Sequence, residues 1–362
     1  SIENPGGNVN ITTSSPLNVD ADVLASGDIT LTAAGGDTGT INIDADVISY
    51  EGNIELVADN GINITLTSGT SNLIDANSVD PAVTPTITMT ANTGAITQTG
   101  GKIGSGNDAL ILSAAEGITL GSKDASFLLI VADITATNDT GDITIYNYGA
   151  LTISGISNNV GNVLVEALSY GDGTNPAIGI TGNITTSSEG ILDSGVIDIG
   201  AEGDIIQVSG STISSDGGSI LLRADIEDDG VGNITQQDGA RIALTNSEGS
   251  ISLLIDSTPT TGQDILISSI DAGETGWVVI KTTGGEIIDN DTTDNIDIIG
   301  NSLVLSATEG IGNTGVGAET IETEVVSLNA YNSTSGDINI DNTGDLTIDD
   351  FALGTGCGVI ND

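Results

Sequence analysis

A nine-residue stretch occurs twice in this chain, as LILSAAEGI at residues 110–118 and as LVLSATEGI at residues 303–311, an offset of 303 − 110 = 193 residues. A second motif, GDITI at 141–145, returns as GDINI at 336–340 with an offset of 336 − 141 = 195 residues. Within these stretches aliphatic residues alternate with small polar ones, which is typical of a β-strand with one buried face. A long repeat built from short strands predicts a stacked, quasi-one-dimensional array.

Glycine followed by an alternating aliphatic run recurs from one end of the chain to the other. Examples are GDITLTA at 27–33, GNIELVA at 52–58 and GSILLRA at 218–224. The glycine before each run tolerates the positive φ that a tight turn requires. No stretch combines a 3.6-residue apolar period with capping signals, so we expect essentially no long helix.

The long repeat covers most of the chain and predicts one continuous β-solenoid over residues 1–362. It holds nearly two copies of a unit of about 195 residues. We place a partial copy at about 1–153, a full copy at about 154–348, and the start of a next unit or a tail at 349–362. No proline-rich linker or change of composition separates the copies.

Two all-β architectures bury such strands. The first is a right-handed parallel β-helix, which at about 20 residues per coil would have about 18 coils. The alternative is a series of tandem β-sandwich repeats, whose domains of about 100 residues usually carry a core tryptophan or a tyrosine corner. Trp277 is the only tryptophan in the chain and cannot serve several such cores. The sequence therefore favours the β-helix.

The charge balance limits the classes of partner. The chain has 51 acidic and 5 basic residues, no histidine and a formal net charge of −46. Nucleic-acid binding and adsorption to anionic lipid both depend on Lys and Arg, so we expect neither. The longest apolar run, at 127–132, is too short to span a bilayer. Cys357 is the only cysteine, so an internal disulfide is excluded and the thiol is either incidental or an intermolecular link.

Two acidic runs offer several hard oxygen ligands close together, as calcium prefers. The candidate weak calcium ligands are Asp289, Asp291 and Asp294 in the first run and Glu227, Asp228 and Asp229 in the second. Neither run has EF-hand spacing, and a solvated acidic loop is the alternative interpretation of both. Carboxylates stacked on adjacent coils would repel one another, which also favours bound calcium or other cations. No cofactor is required.

The sequence predicts no enzyme. Without histidine and with a single cysteine, catalytic triads based on those residues are excluded. A pair of carboxylates would be enough to hydrolyse a glycoside, so a carboxylate-based polysaccharide hydrolase remains a remote alternative.

The repeat motifs resemble those of a known protein family. The pattern Leu-x-Leu-x-Ala-x-x-Gly-Ile at 110–118 is followed by GDITIYNYGALTI at 141–153, and the latter recurs as GDINIDNTGDLTI at 336–348. These motifs are similar to the repeat region of filamentous haemagglutinin-like giant exoproteins, the two-partner-secretion type of β-strand-repeat bacterial surface protein. The resemblance implies a β-helical fold, secretion to the cell surface or the medium, and a role in adhesion.

We therefore expect a structural or adhesive extracellular protein of bacterial type. It would be the rod-like shaft of a secreted adhesin or the subunit of an extracellular filament, either associating head to tail or continuing in a longer chain. The alternative is a module that binds glycans or cell surfaces through loops 72–85 and 170–180, because ligand sites concentrate in such interruptions of a solenoid.

Overall fold

The structure is a computed structural model of the chain. It describes residues 1–65, 73–78, 80, 83–170, 173–188, 195–246, 249–256, 261–291, 295–312 and 320–349. Over these residues the chain forms 38 β-strands and one 3₁₀ turn, Gly36–Thr38. The strands belong to two compact units, Ser1–Pro176 and Ala177–Asp362, which are described in turn.

The first unit contains twenty short strands. They are β1 (Ile2–Asn4), β2 (Val9–Thr13), β3 (Leu17–Val19), β4 (Val23–Ala25), β5 (Ile29–Ala33), β6 (Ile41–Ile43), β7 (Val47–Ser49), β8 (Ile54–Ala58), β9 (Ile62–Ile64), β10 (Leu73–Ala76), β11 (Thr86–Ala91), β12 (Ile96–Gln98), β13 (Lys102–Ile103), β14 (Ala109–Ala114), β15 (Ile118–Leu120), β16 (Leu128–Leu129), β17 (Asp133–Asn138), β18 (Ile143–Tyr148), β19 (Leu151–Asn158) and β20 (Val163–Leu168).

These strands form three parallel faces, because each strand pairs with the third strand after it. One face is β1-β4-β7-β10-β13-β16 and the second is β2-β5-β8-β11-β14-β17-β19. The third is β3-β6-β9-β12-β15-β18-β20. Three strands thus make one coil, and each coil lies directly on the next, as in a parallel β-helix.

The second unit repeats this plan. Its strands are β21 (Ile178–Ile180), β22 (Ile184–Ser187), β23 (Ile197–Ala201), β24 (Ile205–Gln207), β25 (Thr212–Asp216), β26 (Ile220–Ala224), β27 (Ile234–Gln236), β28 (Arg241–Asn246), β29 (Ser250–Ile255), β30 (Ile265–Ile267), β31 (Ile270–Asp271), β32 (Trp277–Thr282), β33 (Glu286–Asp289), β34 (Ile298–Ala307), β35 (Gly310–Ile311), β36 (Ile321–Asn332), β37 (Ile340–Asn342) and β38 (Thr347–Ile348). Pairing is again parallel and between successive coils, with the long strands β34 and β36 each serving two faces.

The parallel pairing confirms the β-helix and excludes tandem β-sandwiches, whose strands are antiparallel. The coils are longer than the predicted 20 residues. Register partners on successive coils are separated by 153 − 134 = 19 residues between Ile134 and Ile153, but by 87 − 54 = 33 between Ile54 and Ile87. Six steps from Val9 to Ile153 cover 144 residues, a mean of 24, and at that mean the 362 residues have room for about 15 coils. The prediction of 18 coils is therefore wrong, because the turns between strands vary in length.

Aliphatic side chains of the same register stack through the core. One such ladder in the first unit is formed by Ile29, Ile54, Ile87, Leu110, Ile134 and Ile153, all fully buried. Neighbouring residues of each strand point outward and are mostly half-exposed, which is the period-two pattern of the sequence. Burying each such side chain contributes about 1.5–3 kcal/mol.

Amide side chains stack in the same way where the coils turn. Asn42 donates to the Oδ1 of Asn18 at 2.8 Å, Asn63 donates to the Oδ1 of Asn42 at 2.9 Å, and the hydroxyl of Thr97 donates to the Oδ1 of Asn63 at 3.0 Å. Each amide both donates and accepts along the ladder, so one polar side chain satisfies the next.

The repeated motifs occupy equivalent places in the two units. Residues 110–114 lie in β14 and residues 303–307 in β34, and both strands contribute to the corresponding face of a coil. One coil later, Ile118 pairs with Ile143 in the first unit, and Ile311 pairs with Ile338 in the second. The boundaries assigned to the long repeat remain a prediction.

Gly121→Ala is expected to destabilise the first unit far more than Gly149→Ala. Both glycines have a positive φ, +71° and +110°. A Cβ at Gly121 would collide with the carbonyl oxygen of Tyr146 on the next coil, whereas a Cβ at Gly149 would meet nothing within 4 Å. The expected losses of unfolding free energy are about 3 kcal/mol or more at Gly121 and about 1 kcal/mol at Gly149. Urea titrations measure both, and equal losses would contradict the close coil contact.

Candidate functional site

The acidic run at 227–229 forms an exposed turn after β26. The buried carboxylate of Asp225 organises this turn, because it accepts hydrogen bonds from the backbone N–H groups of Asp229 and Gly230, each at 3.0 Å. It also accepts from the amide of Gln263 at 2.7 Å. Glu227, Asp228 and Asp229 themselves lie in solvent, so the structure places these three predicted ligands at the surface.

The second acidic run contributes one residue to a buried cluster. Asp289 ends β33 at an inward position and is 4% exposed, and its Oδ1 accepts from the backbone N–H of Asp291 at 2.9 Å. Asp294, the third predicted ligand of this run, lies outside the described residues. The carboxylates that Asp289 meets come from elsewhere in the sequence.

Three carboxylates converge at one corner of the second unit. Asp289, Asp297 and Glu322 present ligand atoms that all lie within 4.8 Å of one another. Asp297 immediately precedes β34, and Glu322 is the second residue of β36 on the following coil. The pairing of Ile298 with Thr323 sets Asp297 beside Glu322. Two of the three residues therefore flank one turn, and the third comes from the coil stacked on it.

Backbone hydrogen bonds hold this acidic triad in place. The N–H of Glu322 donates to Oδ2 of Asp297 at 2.9 Å, and the N–H of Asp297 donates to the carbonyl oxygen of Glu322 at 2.9 Å. The hydroxyl of Thr320 donates to Oε1 of Glu322. Each of these contacts fixes a carboxylate without neutralising it.

The triad concentrates negative charge away from water. Burial raises the pKa of Asp297 from 3.8 to about 9, and the charges of Asp289, Asp291 and Glu322 act in the same direction. At an effective dielectric constant of 20, two carboxylates about 5 Å apart repel by about 3 kcal/mol. The recorded ion pairs of the described basic residues go to other acids, namely Glu166, Asp198, Asp271 and Asp256. Charge at the triad must therefore be balanced by a proton or by a cation.

Sequence analysis missed Asp297 and Glu322 because neither belongs to an acidic run. Asp297 precedes an aliphatic strand in the segment DIIG, and Glu322 stands in the alternating stretch IETEVV. Only the register between β34 and β36 brings them together. The one signal in the sequence was Asp289 itself, an acid at the inward position of the alternating strand EIID.

A second buried acidic pair lies in the first unit. Burial raises the pKa of Asp108 from 3.8 to about 6, and the charge of Asp75 adds to this effect, against hydrogen bonds from Ser105 that lower the pKa. The backbone N–H of Ser105 donates to Oδ2 of Asp108 at 2.7 Å. Both carboxylates are buried, so they are not arranged to meet a glycosidic bond from two sides, as hydrolysis requires.

Residues from loop 72–85 line an open groove on the first unit. The groove has a volume of about 560 Å³ and is bordered by described residues of four successive coils, at 76–85, 105–107, 132–133 and 152. Polar groups on its walls include Asn107, Thr84 and Asp133, beside the apolar Val83. Residues 72, 79, 81 and 82 of this loop lie outside the described residues.

The described part of loop 170–180 begins with an exposed aromatic ring. Tyr170 is 58% exposed, and its ring meets the edge of Tyr148 with the ring centroids 6.0 Å apart. The hydroxyl of Tyr148 donates to the carbonyl oxygen of Ser122 at 2.7 Å, which fixes the supporting ring. Residues 171 and 172 of this loop lie outside the described residues, as does Cys357.

Comparison with protein-family models, with curated proteins and with solved structures finds no match for this chain. What the structure establishes is the parallel β-solenoid, which is compatible with β-helix repeat proteins in general. None of the described residues forms a helix with the length and apolar character that a membrane crossing needs.

Asp108→Asn is expected to change how the stability of the first unit depends on pH. Because folding raises the pKa of Asp108 to about 6, the native chain keeps a proton that the unfolded chain has released above about pH 4. The stability contributed by this group is complete below pH 4 and is lost as the pH rises through 6. The variant lacks this titration, so from pH 4 to pH 7 its unfolding free energy should fall by about 2 kcal/mol less than that of the wild type.

Urea titrations at pH 4, 5, 6 and 7 measure this difference. Asp37→Asn makes the same chemical change in an exposed turn of the same unit and serves as the control. Parallel pH profiles for Asp108→Asn and the wild type would contradict the assignment.

Proposed function

We propose that this chain is a structural segment of a secreted bacterial adhesin of the filamentous haemagglutinin type, acting as a rod-like shaft or as the subunit of an extracellular filament. The observation that carries the proposal is the parallel register of successive coils within each unit. Such stacking extends a surface by repetition, because each added coil buries the face of the one before it.

The surface chemistry supports an extracellular setting. The outward positions of the strands carry mainly threonine, serine, asparagine and carboxylates, and the net charge of −46 favours solubility. The strands β1, β2 and β3 pair with the next coil through β4, β5 and β6, which leaves their other edges available. An available parallel edge accepts another coil, so we propose head-to-tail self-association or continuation in a longer chain.

Electron micrographs of negatively stained, purified protein test the shaft proposal. The expected result is elongated particles with a uniform width, and particle length should increase with protein concentration where coils join end to end. Sedimentation velocity gives an independent value of the frictional ratio. Compact round particles with the frictional ratio of a globular protein would contradict the proposal.

A second candidate function is glycan binding in the groove beside loop 72–85. The supporting observation is that the groove crosses four successive coils, which at about 4.8 Å per coil is about 14 Å between the first and the fourth. A linear polysaccharide lying along the stack would meet polar groups from each coil. Hydroxyl groups of a sugar match amide, hydroxyl and carboxylate side chains of this kind.

A glycan array tests this candidate with a double variant, Asn107→Ala with Thr84→Ala, both at exposed positions on the groove walls. Loss of two polar contacts is expected to weaken binding about tenfold or more. Asn10→Ala makes a similar change on an exposed site of β2 and should leave binding intact. Binding that is equal in all three proteins, or no glycan bound by the wild type, would argue against this function while leaving the shaft proposal in place.

A further inference from the structure

The acidic triad contains a fully buried carboxylate oxygen that the protein itself leaves unsatisfied. Asp297 is 0% exposed, and its Oδ1 has no hydrogen-bond partner among the described residues. Its other oxygen, Oδ2, is already engaged by the backbone N–H of Glu322 at 2.9 Å. A buried acceptor of this kind is costly unless something binds it.

Glu322 shows the same division of roles between its two oxygens. Its Oε1 accepts from the hydroxyl of Thr320, whereas its buried Oε2 has no partner among the described residues. The cluster of ligand atoms within 4.8 Å thus includes residues whose second oxygens are held by hydrogen bonds. Those hydrogen bonds orient the carboxylates, as outer-shell contacts orient the ligands of a metal ion.

The donor set and its spacing select the kind of ion. Calcium binds oxygen ligands at 2.3–2.6 Å, so two ligands on opposite sides of the ion lie about 5 Å apart. Ligand atoms within 4.8 Å of one another meet this requirement without rearrangement. Magnesium, at 2.0–2.1 Å, would need opposite ligands about 4 Å apart and keeps several waters. The triad offers neither nitrogen nor sulfur, the donors that zinc prefers.

We propose that Asp289, Asp297 and Glu322 form a calcium site that joins two successive coils of the second unit. Asp289 and Asp297 lie on either side of the turn between β33 and β34, and Glu322 lies on β36 of the next coil. The bound ion balances carboxylate charge that no recorded ion pair balances, and it links the stacked coils through their side chains. It is therefore a structural ion that stabilises the coil stacking at this corner.

Calcium titration of the full chain tests the site by isothermal titration calorimetry and by thermal unfolding. Comparison solutions contain EDTA, magnesium chloride, or sodium chloride at the same ionic strength, because a chain of charge −46 responds to any salt. The expected result is a heat of calcium binding and a melting temperature that rises by about 5–10 °C at a calcium concentration about one hundred times Kd. Sodium chloride should give a smaller rise, and magnesium should bind more weakly than calcium.

The matched variants are Asp297→Asn and Asp229→Asn. Both replace one carboxylate by an amide, the first inside the triad and the second in the exposed turn at 227–229. Asp297→Asn should abolish the calcium-specific rise in melting temperature, whereas Asp229→Asn should retain it. Glu322→Gln provides a second test within the triad in case Asp297→Asn does not fold.

Hydrogen exchange gives a local measurement that does not depend on the melting temperature. Calcium should slow exchange of the Glu322 amide, which donates to Asp297, by about tenfold or more relative to EDTA. Amides of the first unit should not change by a comparable factor.

Three results would overturn the proposal. The first is the absence of any calcium-specific effect in the wild type, and the second is an undiminished effect in Asp297→Asn. The third is an Asp297→Asn protein that is more stable than the wild type with or without calcium, which would mean that a proton alone balances the triad.

Discussion

Parallel hydrogen bonding between successive coils is the constraint on which the rest of this structure depends. Once a strand pairs in parallel with the strand one coil away, every residue has a neighbour of the same register above or below it. Inward aliphatic residues then stack on one another, as in the ladder that runs from Ile29 to Ile153. Close approach of the coils at the corners also requires glycine, as at Gly121, where a side chain would strike the neighbouring backbone.

The same register decides the fate of polar residues. Amides satisfy each other along a ladder, since each donates and accepts, and the ladder from Asn18 to Thr97 uses this property. Carboxylates cannot do so, because an ionised carboxylate only accepts. Stacked acids therefore need a basic side chain, a proton or a metal ion. Arg223 serves Asp198 in this way at 3.0 Å, whereas the triad at Asp297 has no such partner recorded.

The division between a regular core and irregular turns has a functional meaning. The core pattern recurs in both units and serves the stacking, so it carries no information about a ligand. The features that differ from coil to coil are in the turns, where the groove beside loop 72–85 and the acidic triad both lie. An insertion at a turn costs the solenoid little, because the strands on either side keep their register. This is how a structural repeat gains individual sites.

The sequence by itself determined that the chain is built of short strands stacked in parallel, because a period of two and repeated glycines specify local conformation and one buried face. It also singled out Asp289, an acid at an inward position. The number of residues in each coil, and therefore the number of coils, was decided by turns whose lengths leave no periodic signal. The partners of Asp289 were likewise decided only by tertiary structure. Asp297 and Glu322 are 322 − 297 = 25 residues apart, and the pairing of β34 with β36 makes them neighbours.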